Sequence, residues 1–419
     1  MKKAGEELFK ERKKRIQDAI QLKVPDRVPI WFQDASFFPA KYVGITFEEA
    51  MFEGNKLFGA YKKTLVDFEP DMYFNPGHAI RAPGNAFEAV DCKQILLPGR
   101  GVSPLHSFQF VEGEYMKAEE YDELIDDPTD FAIRKYLPRV FGVLKPLEKL
   151  PPLKGLLRGY AAGLSLSAIF AAPEMATAFE SFYRAGLMVQ KHNAAAETFN
   201  QEMAELGFPL SCGAAAMAPF DLVCDYLRGM RETFLDIYRR PEKLLAAIEK
   251  VTPLMIGSAI MMTKMSGNPG VFIPLHRGAD GFMSLGQFET FYWPGLEKLI
   301  LSLIDEGLTP CPFFEGSYTG RLEYLAQLPR GKVLGMFDTT DIYKAKEVIG
   351  DTMCISGLMP LSLLQTGTPE KVKAYAKKLI DVVGKGGGFI MGPKSAMDEA
   401  NPELVRVWVD FTKEYGVYK

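Results

Sequence analysis

The chain is poor in cysteine. It has five in 419 residues (Cys92, Cys212, Cys224, Cys311 and Cys354), an odd number with no CxxC pair. That excludes a disulfide framework and a finger-type zinc site, and it fits a reducing compartment. Basic charge is not in excess either: the net charge is -4 with a pI near 5.8, so the clustered positive face that nucleic acid requires is missing. The most apolar stretch, 160–182, is interrupted by Pro173 and Glu174 before it reaches spanning length, and the N-terminus lacks the apolar core of a signal peptide. The expectation is a cytoplasmic protein whose partners include no membrane and no nucleic acid. No HExxH motif, Ser-His-Asp order or repeat of solenoid length is present. The glycine-rich GKGGGF at 384–389 lacks the Lys-Ser/Thr ending of a phosphate loop and precedes a strand instead of following one, so it reads as a turn.

What is present is an ordinary globular composition, 47% hydrophobic and 24% charged, enough to bury a large core without long disorder. Residues 4–22 carry an apolar stripe, and their basic run Lys10 to Arg15 is expected to be a solvated helix face. Short apolar runs then alternate with helical periodicity. The runs are Val28 to Phe32, Asp71 to Asn75, Leu210 to Ala218, Val271 to Leu275, Pro310 to Phe314, Val333 to Phe337, Met353 to Ser356 and Gly388 to Met391. Eight strand candidates in a repeating strand–helix unit predict an α/β fold, a (β/α)8 TIM barrel, with a doubly wound open sheet as the alternative. One domain over 1–419 is expected, with 1–24 as an N-terminal helical extension and the irregular 77–150 as an insertion or lid after the second strand.

Such a barrel collects its chemistry at the carboxyl ends of the strands. The residues placed there are Gln33 and Asp34, Asn75, the group His276, Arg277 and Asp280, then Glu315, and Asp338. Glu315 follows Phe313-Phe314, so its carboxyl is expected to be partly desolvated and its pKa raised. In FDTTD one of Asp338 and Asp341 is expected to bind and the other to cap the next helix. Cys311 and Cys354 read as buried small hydrophobes. The catalytic candidates are Glu315, His276 and Asp338. The substrate-binding candidates are Asp34, Asn75, Arg277, Asp280 and Tyr318.

Several segments carry a family resemblance: PDRVPIWF, CGAAAMAPFDLVCDYLRG with RRPEKLL, the Phe-Glu-Gly segment with FDTTD, CISGLMPLSLLQTGTPEKVKAYAKKLID, and GGGFIMGP with NPELV. In order and spacing the chain resembles the uroporphyrinogen decarboxylase-like superfamily, which includes cobalamin-dependent methyltransferases. It departs from the decarboxylases in three places. WFQDASFFPAKY stands where they carry an arginine-rich segment, Asn75 stands where they carry an aspartate, and IMGPKSA lacks their histidine. It also departs from the thiol-activating methyltransferases, whose zinc-binding His-x-Cys pair falls on Phe313 and Glu315 and whose late Cys falls near Lys394-Ser395.

The resemblance therefore implies a methyltransferase that moves a methyl group between a small ether- or amine-type molecule and a corrinoid carried by a partner protein, because the chain has no Asp-x-His-x-x-Gly corrinoid segment of its own. The usual zinc ligands are not carried over, which leaves His276 and Glu315 as the one approximate metal pair. A homodimer is compatible with this reading. The alternatives are a decarboxylase or lyase acting on a small carboxylic acid, and a non-catalytic corrinoid- or tetrapyrrole-binding protein.

Overall fold

The computed structural model describes residues 4–33, 36–80 and 82–419; Asp34 lies outside them. Eight parallel strand segments carry the fold: β1 (Trp31–Phe32), β2 (Met72–Tyr73), β3 (Ala214–Ala215), β4 (Gly270–Leu275), β5 (Thr309–Phe314), β6 (Leu334–Phe337), β7 (Cys354–Met359) and β8 (Phe389–Pro393). β3 to β8 form one parallel sheet in sequence order, and β1 pairs with β2 in another. Two isolated parallel bridges, Ile30 to Met391 and Tyr73 to Leu210, join the edges of the two sheets. The strands thus follow one another around a ring, with an α/β order in which each connection contains helix.

Side-chain parity along the strands sorts the core into two layers. Met72 and Phe74, Cys311 and Phe313, Leu334 and Met336, with Trp31, Cys212, Cys354 and Ile390, fill the inside of the ring. The alternate residues Tyr73, Phe314, Phe337 and Ile355 face outward into the larger cluster with the helices. The helices meet them at three- and four-residue spacing, for example Leu296, Leu299, Ile300 and Leu303 on Trp293–Asp305. Cys311 and Cys354 are buried as expected.

Helix α1 (Gly5–Ile20) closes the ring's interior from one end with Ile16 and Ala19. Its basic run is not a uniformly solvated face. Lys10 and Lys14 are exposed, but Arg12 and Arg15 are buried. Arg15 donates to Asp26 (2.7 Å) and to the fully buried Asp71 (2.6 Å), which also accepts from Arg27 and the Ile30 amide. Arg12 donates to the Gly207 carbonyl at 2.7 Å. A helix that plugs the ring of strands turns part of its polar side inward, and only paired cations survive there.

The 77–150 segment is more ordered than its irregular text predicts. It contains a small sheet (Ile95–Pro98, Gly101–Val102 and Gln109–Phe110) and short helices such as Gly84–Ala89, Tyr121–Asp126 and Leu137–Val140. Gly99 and Gly101 have positive φ where the chain turns between the first two of these strands. Beyond it lie Tyr160–Phe170 and α2 (Pro173–Glu205), bent by 83° at the break formed by Ala171 and Ala172, just before Pro173. Among the described residues one helix, α3 (Pro241–Ser266), is long and apolar enough to cross a membrane by length and composition. Its Leu244, Ala247, Ile248 and Val251 are buried in the main core. The strand expected to end before Gly357 continues through it to Met359, because that glycine adopts φ +95°, where a Cβ would sit 3.0 Å from the Phe337 carbonyl oxygen. The 384–389 glycines form a turn, with Gly386, Gly387 and Gly388 all at positive φ.

Candidate active site

Strand register brings three of the predicted residues together. Leu275 pairs with Phe314, and Phe314 with Phe337, so the next residues, His276, Glu315 and Asp338, stand side by side where the strands end. Each also has the inward parity, two residues beyond Pro274, Phe313 and Met336 respectively, and so crowns the ring's interior instead of facing the helices. All three line a cavity of about 720 Å³. Glu315 is partly buried, its side chain 43% exposed, with Phe313 one layer below it and Phe314 pointing to the opposite face.

The residues that organise His276 come from a π-helical turn, Leu222–Arg228, and the aspartate before it; such turns recur at functional sites. Asp221 is fully buried and accepts from the backbone amides of His276 (2.9 Å) and Arg277 (3.1 Å) and from the Tyr292 hydroxyl (2.7 Å). Burial, then the neighbouring Asp225, push its carboxyl pKa upward against those bonds. Asp225 bridges the imidazole and the guanidinium: His276 Nδ1 lies 2.5 Å from one oxygen, and Arg277 Nε donates to the other at 2.8 Å. His276 Nε2 then faces Glu315 Oε1 at 3.6 Å.

Burial opposes charge on His276. The Asp225 hydrogen bond and the charges of Asp221, Glu315 and Asp225 outweigh it and raise the pKa to about 9. The ring is therefore an imidazolium at neutral pH, held through Nδ1, with its Nε2 proton left for a bound molecule.

Aromatic side chains wall the cavity: Phe87, Phe108, Phe110 and Phe141 from the 77–150 segment, with Tyr226 and Phe282. That segment is fastened over the site by backbone and ionic bonds. Tyr115 and Met116 amides donate to the Leu227 carbonyl at 2.7 Å. The buried Arg228 reaches Met116 (2.7 Å), Glu114 (2.5 Å) and Asp236 (2.8 Å), and Glu112 lies 3.3 Å from Arg277.

The other candidates sit elsewhere. Asp341 caps helix Ile342–Ile349 by accepting from Tyr343 and Lys344, which leaves Asp338 as the cavity carboxylate of FDTTD. Asp280 accepts from Ser317 Oγ (2.8 Å) and the Gly320 amide (3.1 Å), bracing one strand-end loop against the next. Tyr318 is buried beneath the rim, its ring 5.0 Å from Phe314. Asn75 caps Pro76–Ala79 and lines a second cavity of about 670 Å³ between α2 and α3. Asp221 and Asp225 were not among the predicted site residues. Two aspartates four apart, directly after a strand candidate in PFDLVCDYLRG, are the signal that marks them.

Among the described residues no group of three or more His, Cys, Asp or Glu side chains is placed to hold a metal ion. His276 and Glu315 supply two donors, one short of the protein ligands of a catalytic zinc site, and the other nitrogen of His276 is engaged by Asp225.

Against known proteins, the family model described as "Uroporphyrinogen decarboxylase (URO-D)" matches residues 188–415, more than half of the chain. A protein named uroporphyrinogen decarboxylase from Syntrophotalea carbinolica is 22% identical over 200 residues, 46% of this chain and 56% of that one. One of the same name from Chlorobium phaeovibrioides is 35% identical over 79 residues, 18% of this chain and 22% of that one. The matches thus span about half the length of the first of these relatives and about a fifth of the second. Among solved structures, a methyltransferase from Methanosarcina mazei superposes with a TM-score of 0.61 at 15% identity, covering 96% of this chain and 98% of that one. At that identity the likeness is one of fold.

Proposed function

Because the chain belongs to the uroporphyrinogen decarboxylase (URO-D) family, we propose that it is a methyltransferase, moving a methyl group from a small organic molecule to a corrinoid carried by a partner protein. The ring of strands is read as a (β/α)8 barrel, one domain whose 77–150 segment serves as the lid. The observation that carries the proposal is the line Asp225, His276, Glu315 on the floor of an aromatic cavity. It holds a protonated imidazole beside space for a small apolar molecule.

Porphyrinogen decarboxylation is a poorer fit. Three carboxylates (Asp225, Glu315 and Asp338) line the cavity against one arginine and one histidine, whereas a polycarboxylate substrate demands an excess of cations. A cavity of about 720 Å³ suits a small molecule, so a corrinoid fits as a group presented at the mouth by another protein.

When presented, the corrinoid supplies the nucleophile that accepts the methyl group. This chain's residues serve the leaving atom. An ether oxygen keeps the electron pair of the broken C–O bond and takes the Nε2 proton of His276. Asp225 holds the ring in place through Nδ1 while that proton moves. Glu315 and Asp338 orient the molecule, and the aromatic walls exclude water. An ammonium nitrogen departs as a neutral amine without needing a proton, so a maintained imidazolium favours the ether over the amine.

The test mixes the protein, a reduced corrinoid protein and a panel of methyl ethers, and follows the corrinoid absorbance. Methyl transfer to at least one acceptor is expected, and His276→Gln should lower turnover by about 10²- to 10⁴-fold with KM little changed. No spectral change alongside a working positive control refutes the proposal. Binding of a methyl ether or of the corrinoid protein by wild type without any turnover would assign a binding protein instead.

A further inference from the structure

The region 157–187 presents a surface that its own chain leaves open. Helix Tyr160–Phe170 has no buried residue and no charged one. Its two serine hydroxyls are turned back onto the helix, Ser165 to the Ala161 carbonyl (3.0 Å) and Ser167 to that of Leu164 (2.7 Å). Leu157, Tyr160 and Leu164 are 91%, 88% and 67% exposed. After the bend the same surface continues onto α2, joined by the Phe170 and Phe179 rings at 5.4 Å. There Phe179, Tyr183 and Leu187 stand four residues apart and form one exposed ridge. A helix apolar all round is normally covered, and a contiguous patch of this kind marks an interaction surface.

The charges beside the ridge indicate what covers it. Glu180 and Arg184 form an ion pair four residues apart, with side chains 60% and 68% exposed. The midpoint of that pair, residue 182, nearly coincides with the midpoint of the ridge, residue 183. A surface arranged about one centre in this way is self-complementary. If two such helices cross antiparallel at Tyr183, Phe179 meets Leu187 of the second copy, and Glu180 comes within about 3 Å along the axis of the level of Arg184 of the second copy, a gap that the two long side chains span. That reciprocity is the mark of a two-fold interface. A lipid surface would accept the apolar ridge but gains nothing from a carboxylate and a guanidinium at its centre.

We infer that this ridge is the contact through which two copies of the chain form a dimer. The apolar residues carry the affinity, and the charge pairs set the register, since exposed ion pairs contribute little energy of their own. The inference stands apart from the proposed chemistry.

Sedimentation equilibrium on the full chain tests it. Wild type is expected to dimerise, and Tyr183→Glu to weaken the dimer by about 100-fold or more, as for a central interface residue, with unchanged circular dichroism. Glu180→Arg and Arg184→Glu should each weaken it by several-fold, on the order of one lost charge contact, and the double swap should restore it. A monomeric wild type overturns the inference, whether or not it co-sediments with phosphatidylcholine–phosphatidylglycerol vesicles. So does a dimer indifferent to Tyr183→Glu, or a double swap that fails to restore association.

Discussion

Replacing Asp225 with asparagine is the sharpest probe of the site. The substitution keeps the shape but removes the charge that His276 Nδ1 meets at 2.5 Å and Arg277 Nε at 2.8 Å. With the Asp225 hydrogen bond and charge gone, the imidazole pKa should fall from about 9 towards its ordinary 6.5, since burial still opposes the charge while only Asp221 and Glu315 remain to favour it. At pH 8 a complete return to 6.5 would drop the protonated fraction from ~90% to ~3%, so roughly thirtyfold is the upper limit of the loss, while at pH 5.5 the fraction barely changes.

The linkage has a definite sign. A folded-state pKa raised above the unfolded value contributes stability that is fully present below pH 6.5 and is lost as the pH rises through about 9. The asparagine variant should lack most of that alkaline loss. The assay is the titration of histidine ring protons by NMR, tractable because the chain has four histidines, run beside a pH–rate profile. The expected result is a rate ratio between wild type and variant of up to about thirtyfold at pH 8 that closes towards pH 5.5. An imidazole that still titrates near 9 in the variant, or a rate ratio independent of pH, would refute the Asp225–His276 mechanism.

Two further substitutions probe the plug and the wall. Asp71→Ala leaves Arg15 and Arg27 without their shared buried partner and should cost about 3–5 kcal/mol, read as a lower urea midpoint; a loss within measurement error would show that α1 is not secured this way. Phe110→Ala removes a cavity wall whose ring lies 5.4 Å from Tyr226 and should raise KM about tenfold, the equivalent of ~1.4 kcal/mol of lost apolar contact, with kcat little changed; an unchanged KM would place the methyl donor outside this cavity.

The strand ends were legible in the sequence. An apolar run of five or six residues stopped by a polar one specifies both where a strand ends and which side chain stands at the rim. His276, Glu315 and Asp338 were found on that basis, and parallel register then sets them side by side. The division of FDTTD into a cavity residue and a cap follows from local backbone chemistry, and it appears in the structure as Asp338 and Asp341. Arg12 and Arg15 read as solvent-facing because periodicity records which residues share a helix face, not what that face meets. Asn75 and Asp280 were placed at the rim by sequence position, but loop paths direct their side chains away from the cavity, and the binding candidate Tyr318 is buried beneath it.

Sequence by itself thus determined the alternation of elements and the residues at the strand ends, because both follow from local patterns a few residues long. Only the tertiary structure decided that Asp225 grips His276 across a separation of 51 positions, and that the 77–150 segment walls the cavity with phenylalanines. Contacts of that range depend on how the helical turn and the long insertion fold back over the ring, and no local pattern encodes that path.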